Sequence, residues 1–102
     1  MALTINKNNN INNGVWEVKL TGEVDISNAH CFRTELESAV AEVRQSVSID
    51  LAELKYIDST GLGVIIGIYG DLKKDGLCVK VLNPRDNVKK LLVISGLDKL
   101  LC

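Results

Sequence analysis

The sequence predicts an α/β domain built on a four-stranded mixed sheet, and three observations carry that prediction. Apolar residues alternate with polar ones in three short segments, residues 16–20, 47–51 and 77–81, as in strands with one buried face. Two longer stretches between them repeat their apolar residues at spacings of three and four, the period of an amphipathic helix. An asparagine-rich stretch ahead of the first segment supplies a turn, and with it an antiparallel partner strand. The order is ββαβαβα, an antiparallel hairpin followed by parallel crossovers, with the helices mainly on one face. A chain of 102 residues, 46% of them hydrophobic, can bury one core, so a single domain over 1–102 is expected.

Each element has its own signal. Leu3-Thr4-Ile5 precedes Asn8-Asn9-Asn10-Ile11-Asn12-Asn13-Gly14, which reads as the hairpin connection. In the second strand Trp16, Val18 and Leu20 alternate with Glu17, Lys19 and Thr21. Ala29, Phe32, Leu36, Ala39, Val40 and Val43 then form one helical stripe, capped by Ser27 or Asn28. Val47, Ile49 and Leu51 alternate with Ser46, Ser48 and Asp50 in the third strand. Leu62, Ile65, Ile66, Tyr69 and Leu72 predict a second helix that stops near Gly76. Against it stand the β-branched run Val64-Ile65-Ile66 and interior Gly63, Gly67 and Gly70, each glycine costing about 1 kcal/mol relative to Ala. The length of the periodic stretch decides for helix. Leu77, Val79 and Val81 alternate less cleanly, and a last helix begins after Pro84 and runs through Val88, Leu91 and Leu92 to Gly96.

Composition narrows the function. Thirteen acidic against twelve basic residues leave a net charge of −1, which offers no field for nucleic acid or an anionic membrane. One Trp, two Tyr and one Phe are too few for base-stacking platforms. No apolar run reaches the roughly 20 residues of a membrane span and no leader pattern is present, so a cytoplasmic location is expected. Cys31, Cys78 and Cys102 are odd in number and scattered, with His30 the one histidine, so the expectation is reduced thiols, Cys78 in the core, and neither metal site nor cofactor.

The topology points to a site. Carboxyl ends of parallel strands open onto one edge of a sheet, where three loops are expected to converge: Thr21-Gly22-Glu23-Val24-Asp25, Tyr56-Ile57-Asp58-Ser59-Thr60-Gly61 and Asn83-Pro84-Arg85-Asp86. Ser59 stands at the start of the second helix, where free N–H groups and the helix dipole would favour a phosphate. Ser59 has two readings, a plain helix cap, for which Asp58 and Thr60 qualify as well, or a modified residue; Asp58 is either a helix-end or loop acceptor or a partner-facing carboxylate, and Asp25 either begins the first helix or faces the partner. No base accompanies Ser59 or the cysteines, which argues against nucleophilic catalysis. Gly61 and Gly63 match neither a dinucleotide nor a P-loop motif, and serve either close packing or access to Ser59.

Residues 50–64, Asp50-Leu51-Ala52-Glu53-Leu54-Lys55-Tyr56-Ile57-Asp58-Ser59-Thr60-Gly61-Leu62-Gly63-Val64, resemble the phosphorylation segment of the anti-sigma factor antagonists of the STAS domain superfamily. Leu20-Thr21-Gly22-Glu23-Val24-Asp25 is similar to that family's early loop, and Ser95-Gly96-Leu97-Asp98-Lys99-Leu100 to its late segment, so the resemblance covers nearly the whole chain. The resemblance implies a STAS fold and a non-enzymatic, cytoplasmic partner switch in transcription regulation, of the kind used in stress or sporulation signalling. The unphosphorylated form binds an anti-sigma factor that is also a serine kinase, freeing a sigma factor. Phosphorylation, mapped onto Ser59, turns binding off, and a metal-dependent serine phosphatase restores it. Asp25, Asp58, Thr60, Gly61 and Gly63 map onto the partner-binding surface; the kinase supplies the ATP site, and the chain is expected to be a monomer or weak dimer. The alternative is a non-switching STAS scaffold subunit of a larger signalling or membrane-associated complex, with Ser59 as a cap. Two departures stand out: the asparagine-rich turn, and an end at Leu101-Cys102 where the family usually continues, so that one flank is expected to be either open or truncated.

Overall fold

Seven elements follow the predicted order: β1 (Leu3–Asn10), β2 (Val15–Val24), α1 (Ala29–Glu42), β3 (Ser46–Ile57), α2 (Ser59–Lys73), β4 (Val79–Leu82) and α3 (Asp86–Ile94). The computed structural model of the chain describes residues 2–97. The strands form one sheet in the order β1-β2-β3-β4; β1 pairs antiparallel with β2, and β2–β3 and β3–β4 are parallel.

The alternation dictates which face is covered. Trp16, Val18 and Leu20 of β2, Val47, Ile49 and Leu51 of β3 and Val79 of β4 are buried, and all three helices contribute to the same core through residues such as Phe32, Leu36, Ile65, Leu72, Val88 and Leu92. Glu17, Lys19 and Lys80, of opposite parity, are exposed, so the other face is polar. Trp16 keeps its indole N–H satisfied inside this core by donating to the Val43 carbonyl at 2.8 Å. Among the described residues no helix is long and apolar enough to cross a membrane.

Several boundaries differ from the sequence expectation. Asn8, Asn9 and Asn10 belong to β1, opposite Glu17, Trp16 and Val15, and the turn shrinks to residues 11–14. Their amides find partners that an edge strand makes available: Asn8 donates to Glu17 at 3.1 Å, and Asn9 accepts from Gln45 at 2.6 Å. Residues 21–24 are strand rather than loop, and β3 runs on through Tyr56 and Ile57. The β2–β3 register shifts twice, between Lys19 and Thr21 and between Gly22 and Glu23, so buried positions on β3 go from Leu51 to Leu54 to Ile57. That irregular step broke the period-two signal. Gly22 is required there: its φ is +107°, and a Cβ would lie 2.2 Å from the Ala2 carbonyl oxygen.

The cysteines also depart from expectation. Val79 takes the inward position of β4, which turns Cys78 away, half-buried and outside the core. Cys31 is an exposed free thiol, whereas Cys78 is disulfide-bonded, which corrects the expectation of a reduced thiol there. Cys102 and the Asp98-Lys99-Leu100 part of the late segment lie outside the described residues.

Two glycines of α2 test its packing with opposite signs. A Cβ on Gly61 would stand 2.6 Å from Ile57 Cγ1 and 2.7 Å from Val24 Cγ1, whereas one on Gly63 would meet nothing within 4 Å. We expect Gly63→Ala to raise stability by about 1 kcal/mol, the helix-propensity gain alone. In Gly61→Ala the overlap outweighs that gain, for a net loss of about 1 kcal/mol or more. Urea unfolding midpoints of the two variants check both signs.

Candidate functional site

The site grows from the last pair of the β2–β3 ladder, Val24 opposite Ile57. Asp58 N–H extends that pairing by donating to the Val24 carbonyl at 3.1 Å, which brings the β2–α1 turn against the start of α2. Asp58 is then the helix cap. Its backbone is extended, and its side chain accepts from Thr60 N–H at 3.0 Å, Gly61 N–H at 3.2 Å and the Thr60 hydroxyl, while its carbonyl takes the first helical bond from Leu62 N–H.

With the cap at 58, Ser59 becomes the first helical residue. Its side chain is exposed, and among the described residues its hydroxyl makes no hydrogen bond. The reading of Ser59 as a cap is thereby corrected: the carboxylate one residue earlier, which accepts more strongly than a hydroxyl, occupies that role. The expected phosphate cradle changes too, since two of the free N–H groups of the first turn already serve Asp58.

The β2–α1 turn is braced from within. Asp25 carbonyl accepts from Asn28 and Ala29 N–H at 3.1 and 2.8 Å, and its carboxylate accepts from Ser27 N–H at 2.9 Å and from the Ser27 hydroxyl. The predicted cap at Ser27 or Asn28 resolves to Asn28 by position, but its side chain does not cap α1. Instead Asn28 Oδ1 accepts from Asp25 N–H at 3.0 Å and Nδ2 donates to the Glu23 carbonyl at 2.9 Å, so it holds the turn. Ile26, at the tip, is 80% exposed.

Both carboxylates ionise below the usual carboxylate range. For Asp58 the main cause is the Thr60 hydroxyl, with the Gly61, Thr60 and Ile26 N–H groups outweighing desolvation. For Asp25 it is the Ser27 hydroxyl, helped by the Ser27 N–H and opposed by desolvation and by the charge of Asp58. At neutral pH the hydroxyl of Ser59 therefore follows directly on a charged Asp58, whose charge also reaches Asp25, and neither carboxylate has an ion-pair partner among the described residues.

The structure joins only two of the three expected loops. β4 pairs with β3 no further than Asp50, while β3 runs on to Ile57, so the connection after β4 docks upstream of Ser59. Asn83 donates to Asp50 at 3.4 Å, Arg85 to the Ala52 carbonyl at 3.0 Å and Asn87 to the Lys55 carbonyl at 2.7 Å. Arg85 and Asn87 thus take over carbonyls that β4 no longer pairs, a role no sequence period signals. Of the expected partner-facing residues, Asp25, Asp58 and Thr60 are half-buried, Gly63 is exposed and Gly61 is buried, packed on Val24 and Ile57. Among the described residues no group of three or more His, Cys, Asp or Glu side chains could hold a metal ion.

At this edge a short braced turn faces a capped helix whose first residue carries an exposed serine hydroxyl. The STAS domain family model matches residues 6–101. The Bacillus subtilis anti-sigma-B factor antagonist is 34% identical over 85 residues, covering 83% of this chain and 77% of that protein. The anti-sigma F factor antagonist of Paenibacillus polymyxa is 33% identical over 89 residues, covering 86% and 76%. Among solved structures, an anti-sigma factor antagonist from Mycobacterium paratuberculosis superposes with a TM-score of 0.86 at 25% identity, over 98% of this chain and 83% of that one. The chain belongs to the STAS domain family, and the relatives it matches there carry the name of anti-sigma factor antagonists.

The depressed carboxyls give a pH dependence with a defined sign. Because the folded state binds a proton at Asp58 less readily than the unfolded chain, the contribution is complete above about pH 4–5 and is lost as pH falls through the folded value. We expect Asp58→Asn, which keeps an accepting cap, to flatten the acid limb of the stability curve, and Asp58→Ala to lose about 1 kcal/mol at neutral pH as well. Thermal melts of the three proteins between acid and neutral pH measure both effects.

Proposed function

We propose that the chain is an anti-sigma factor antagonist whose unphosphorylated form binds an anti-sigma factor with serine kinase activity, and that phosphorylation of Ser59 ends that binding. The observation that carries the reading is the exposed Ser59 hydroxyl, unbonded at the first helical position because Asp58 does the capping. A hydroxyl that the fold does not use can be handed to another protein's active site. In the transfer the Ser59 oxygen bonds to the γ-phosphorus of ATP, the bond from that phosphorus to the β–γ bridging oxygen breaks, the hydroxyl proton passes to a base of the kinase and ADP leaves. A metal-dependent serine phosphatase then cleaves the ester with water.

On this reading Asp25, Asp58 and the open space at Gly63 face the partner, while Thr60 and Gly61 hold Asp58 and the helix in place. The chain acts by binding, in the cytoplasm, as a monomer or weak dimer, and carries no catalysis of its own. The switch is electrostatic: a phosphoryl group adds about −1.5 to −2 charges. It arrives one residue after the Asp58 carboxylate, at a helix terminus that Asp58 already occupies, so a partner shaped for the neutral hydroxyl meets a desolvation cost and repulsion from its own acidic groups.

We expect Ser59→Ala to bind the anti-sigma factor as the wild type does and to resist release, and Ser59→Asp to bind at least tenfold more weakly. Incubation with ATP and the kinase, intact mass, peptide mapping and titration of both forms test this. A single phosphate on Ser59 that abolishes capture is the expected result. Equal affinity of Ser59→Ala and Ser59→Asp, or a stable self-assembly that no kinase modifies, overturns it in favour of a scaffold.

A further inference from the structure

We infer that the outer edge of β1 is a self-pairing surface, on which a second copy of this chain adds its own β1 antiparallel across a two-fold axis at Asn6. The inference does not depend on the role of Ser59. β1 is eight residues long, ends the sheet, and pairs with β2 without a register shift. Glu23 N–H donates to the Ala2 carbonyl at 3.0 Å, which makes Ala2 and Glu23 a bonded pair of the ladder, and the unbroken register puts Thr4, Asn6, Asn8 and Asn10 in the same phase. The N–H and C=O groups of Leu3, Ile5, Lys7 and Asn9 therefore point away from β2, and among the described residues no hydrogen bond takes them up. Natural sheets blunt such an edge with a proline, a bulge, a free charge or a very short strand. The other edge, β4, is only four residues long. β1 has none of these devices: the chain's one proline is Pro84, and the one charge on the strand, Lys7, is already paired with Glu35 of α1 at 2.7 Å.

The strand itself selects the occupant. Facing Ile5 with its own counterpart leaves Asn9 out of the ladder, and facing Lys7 with its counterpart leaves Leu3 out and sets two ammonium groups side by side. The register centred on Asn6 pairs every outward group, Leu3 with the second copy's Asn9 and Ile5 with the second copy's Lys7, and keeps the lysines apart. On the axis the exposed Asn6 side chain meets its counterpart, and an amide, with both donor and acceptor, hydrogen-bonds a copy of itself. A foreign strand has no such built-in match. Main-chain hydrogen bonds with little apolar burial make a weak, reversible dimer and not a permanent one. The Ser59 edge lies toward the Leu3 end of β1, since Leu3 pairs with Gly22 and Val24 with Ile57. Antiparallel pairing therefore sets the two Ser59 edges at opposite ends of the joined strands, both open.

The experiment is sedimentation equilibrium of the purified chain from micromolar to millimolar concentration, with Lys7→Ala, Lys7→Pro, Thr4→Asp and Asn6→Asp beside it. Wild type is expected to pass from monomer to dimer within that range. Lys7→Pro, which removes an outward N–H and no β1–β2 bond, is expected to stay monomeric, whereas Lys7→Ala, which loses only an exposed ion pair, dimerises within about threefold of wild type. Asn6→Asp sets two carboxylates against each other on the axis and is expected to dimerise at least about tenfold more weakly, with part of the loss recovered at high salt. Thr4→Asp, exposed but off the axis, stays within about threefold. Asn6 is exposed in the monomer, so Asn6→Asp decides the matter even where Lys7→Pro does not fold. A wild type that remains monomeric at millimolar concentration overturns the inference, as does a dimer that Lys7→Pro and Asn6→Asp leave intact, which assigns the contact to another surface. Binding of the anti-sigma factor that Lys7→Pro loses and Lys7→Ala keeps, with no dimer in wild type, assigns the edge to a strand of that partner and overturns self-pairing. Failure of a kinase to modify Ser59, read by intact mass, counts against the switch alone and leaves the pairing standing.

Discussion

The upper edge of the molecule depends on one group, the Asp58 carboxylate. A helix leaves four N–H groups without partners in its first turn, and something must answer them. Here a single carboxylate accepts from Thr60 and Gly61 and also from the Thr60 hydroxyl, while the same residue's N–H closes onto Val24. Cap, ladder end and turn are therefore fastened at one residue. The identity of the next residue is then free of structural demand, and that freedom is what lets a serine stand there with its hydroxyl unengaged.

The sheet contributes by overhang. β3 is the longest strand and outruns β4, so its last residues are paired with β2 on one side only. On the open side Arg85 and Asn87 take the carbonyls of Ala52 and Lys55 with side-chain donors, which stabilises the strand without building a further strand beside the site. A longer β4 would carry its connection toward Ser59 and crowd the approach. The register shifts in β2–β3 serve the same end: they keep Leu54 and Ile57 inward while the strand bends, and they need Gly22 at a positive φ opposite the Ala2 carbonyl.

Most of the fold was legible because the burial is one-sided. Trp16, Val18 and Leu20 spell a strand, and Phe32, Leu36, Ala39 and Val40 spell a helix, with little competition from local propensity. The α2 conflict was settled by tertiary packing: Leu62, Ile65, Ile68 and Leu72 bury together, which outweighs the β-branched run and the interior glycines. What was illegible depends on partners remote in sequence. The strand character of Asn8, Asn9 and Asn10 comes from Glu17 and Gln45, the extent of β3 from a register shift, and the separation of the third loop from where β4 stops. At the site, the motif located Ser59 and Asp58, but which of them caps is a contest between two adjacent acceptors that spacing does not decide.

The layout also determines how a charge at Ser59 is felt. Val24 and Ile57, against which Gly61 packs, and Leu62 are all buried, whereas the hydrogen bonds that shape the site run among residues 23–29 and 58–62, with Glu23 N–H also held by the Ala2 carbonyl. A phosphate projecting from the first helical position does not enter that core. Its favourable interaction with the helix terminus is worth about 0.3–1 kcal/mol, and part of that is already taken by Asp58. At a docked interface, by contrast, covering the phosphate strips its water, and a dianion loses several kcal/mol more solvation there than a neutral hydroxyl does. The larger quantity sits between the two proteins and the smaller one within this chain. Under the proposed function, modification therefore acts on affinity and leaves the fold intact, which suits a component that must be returned to its binding form by removal of the same group.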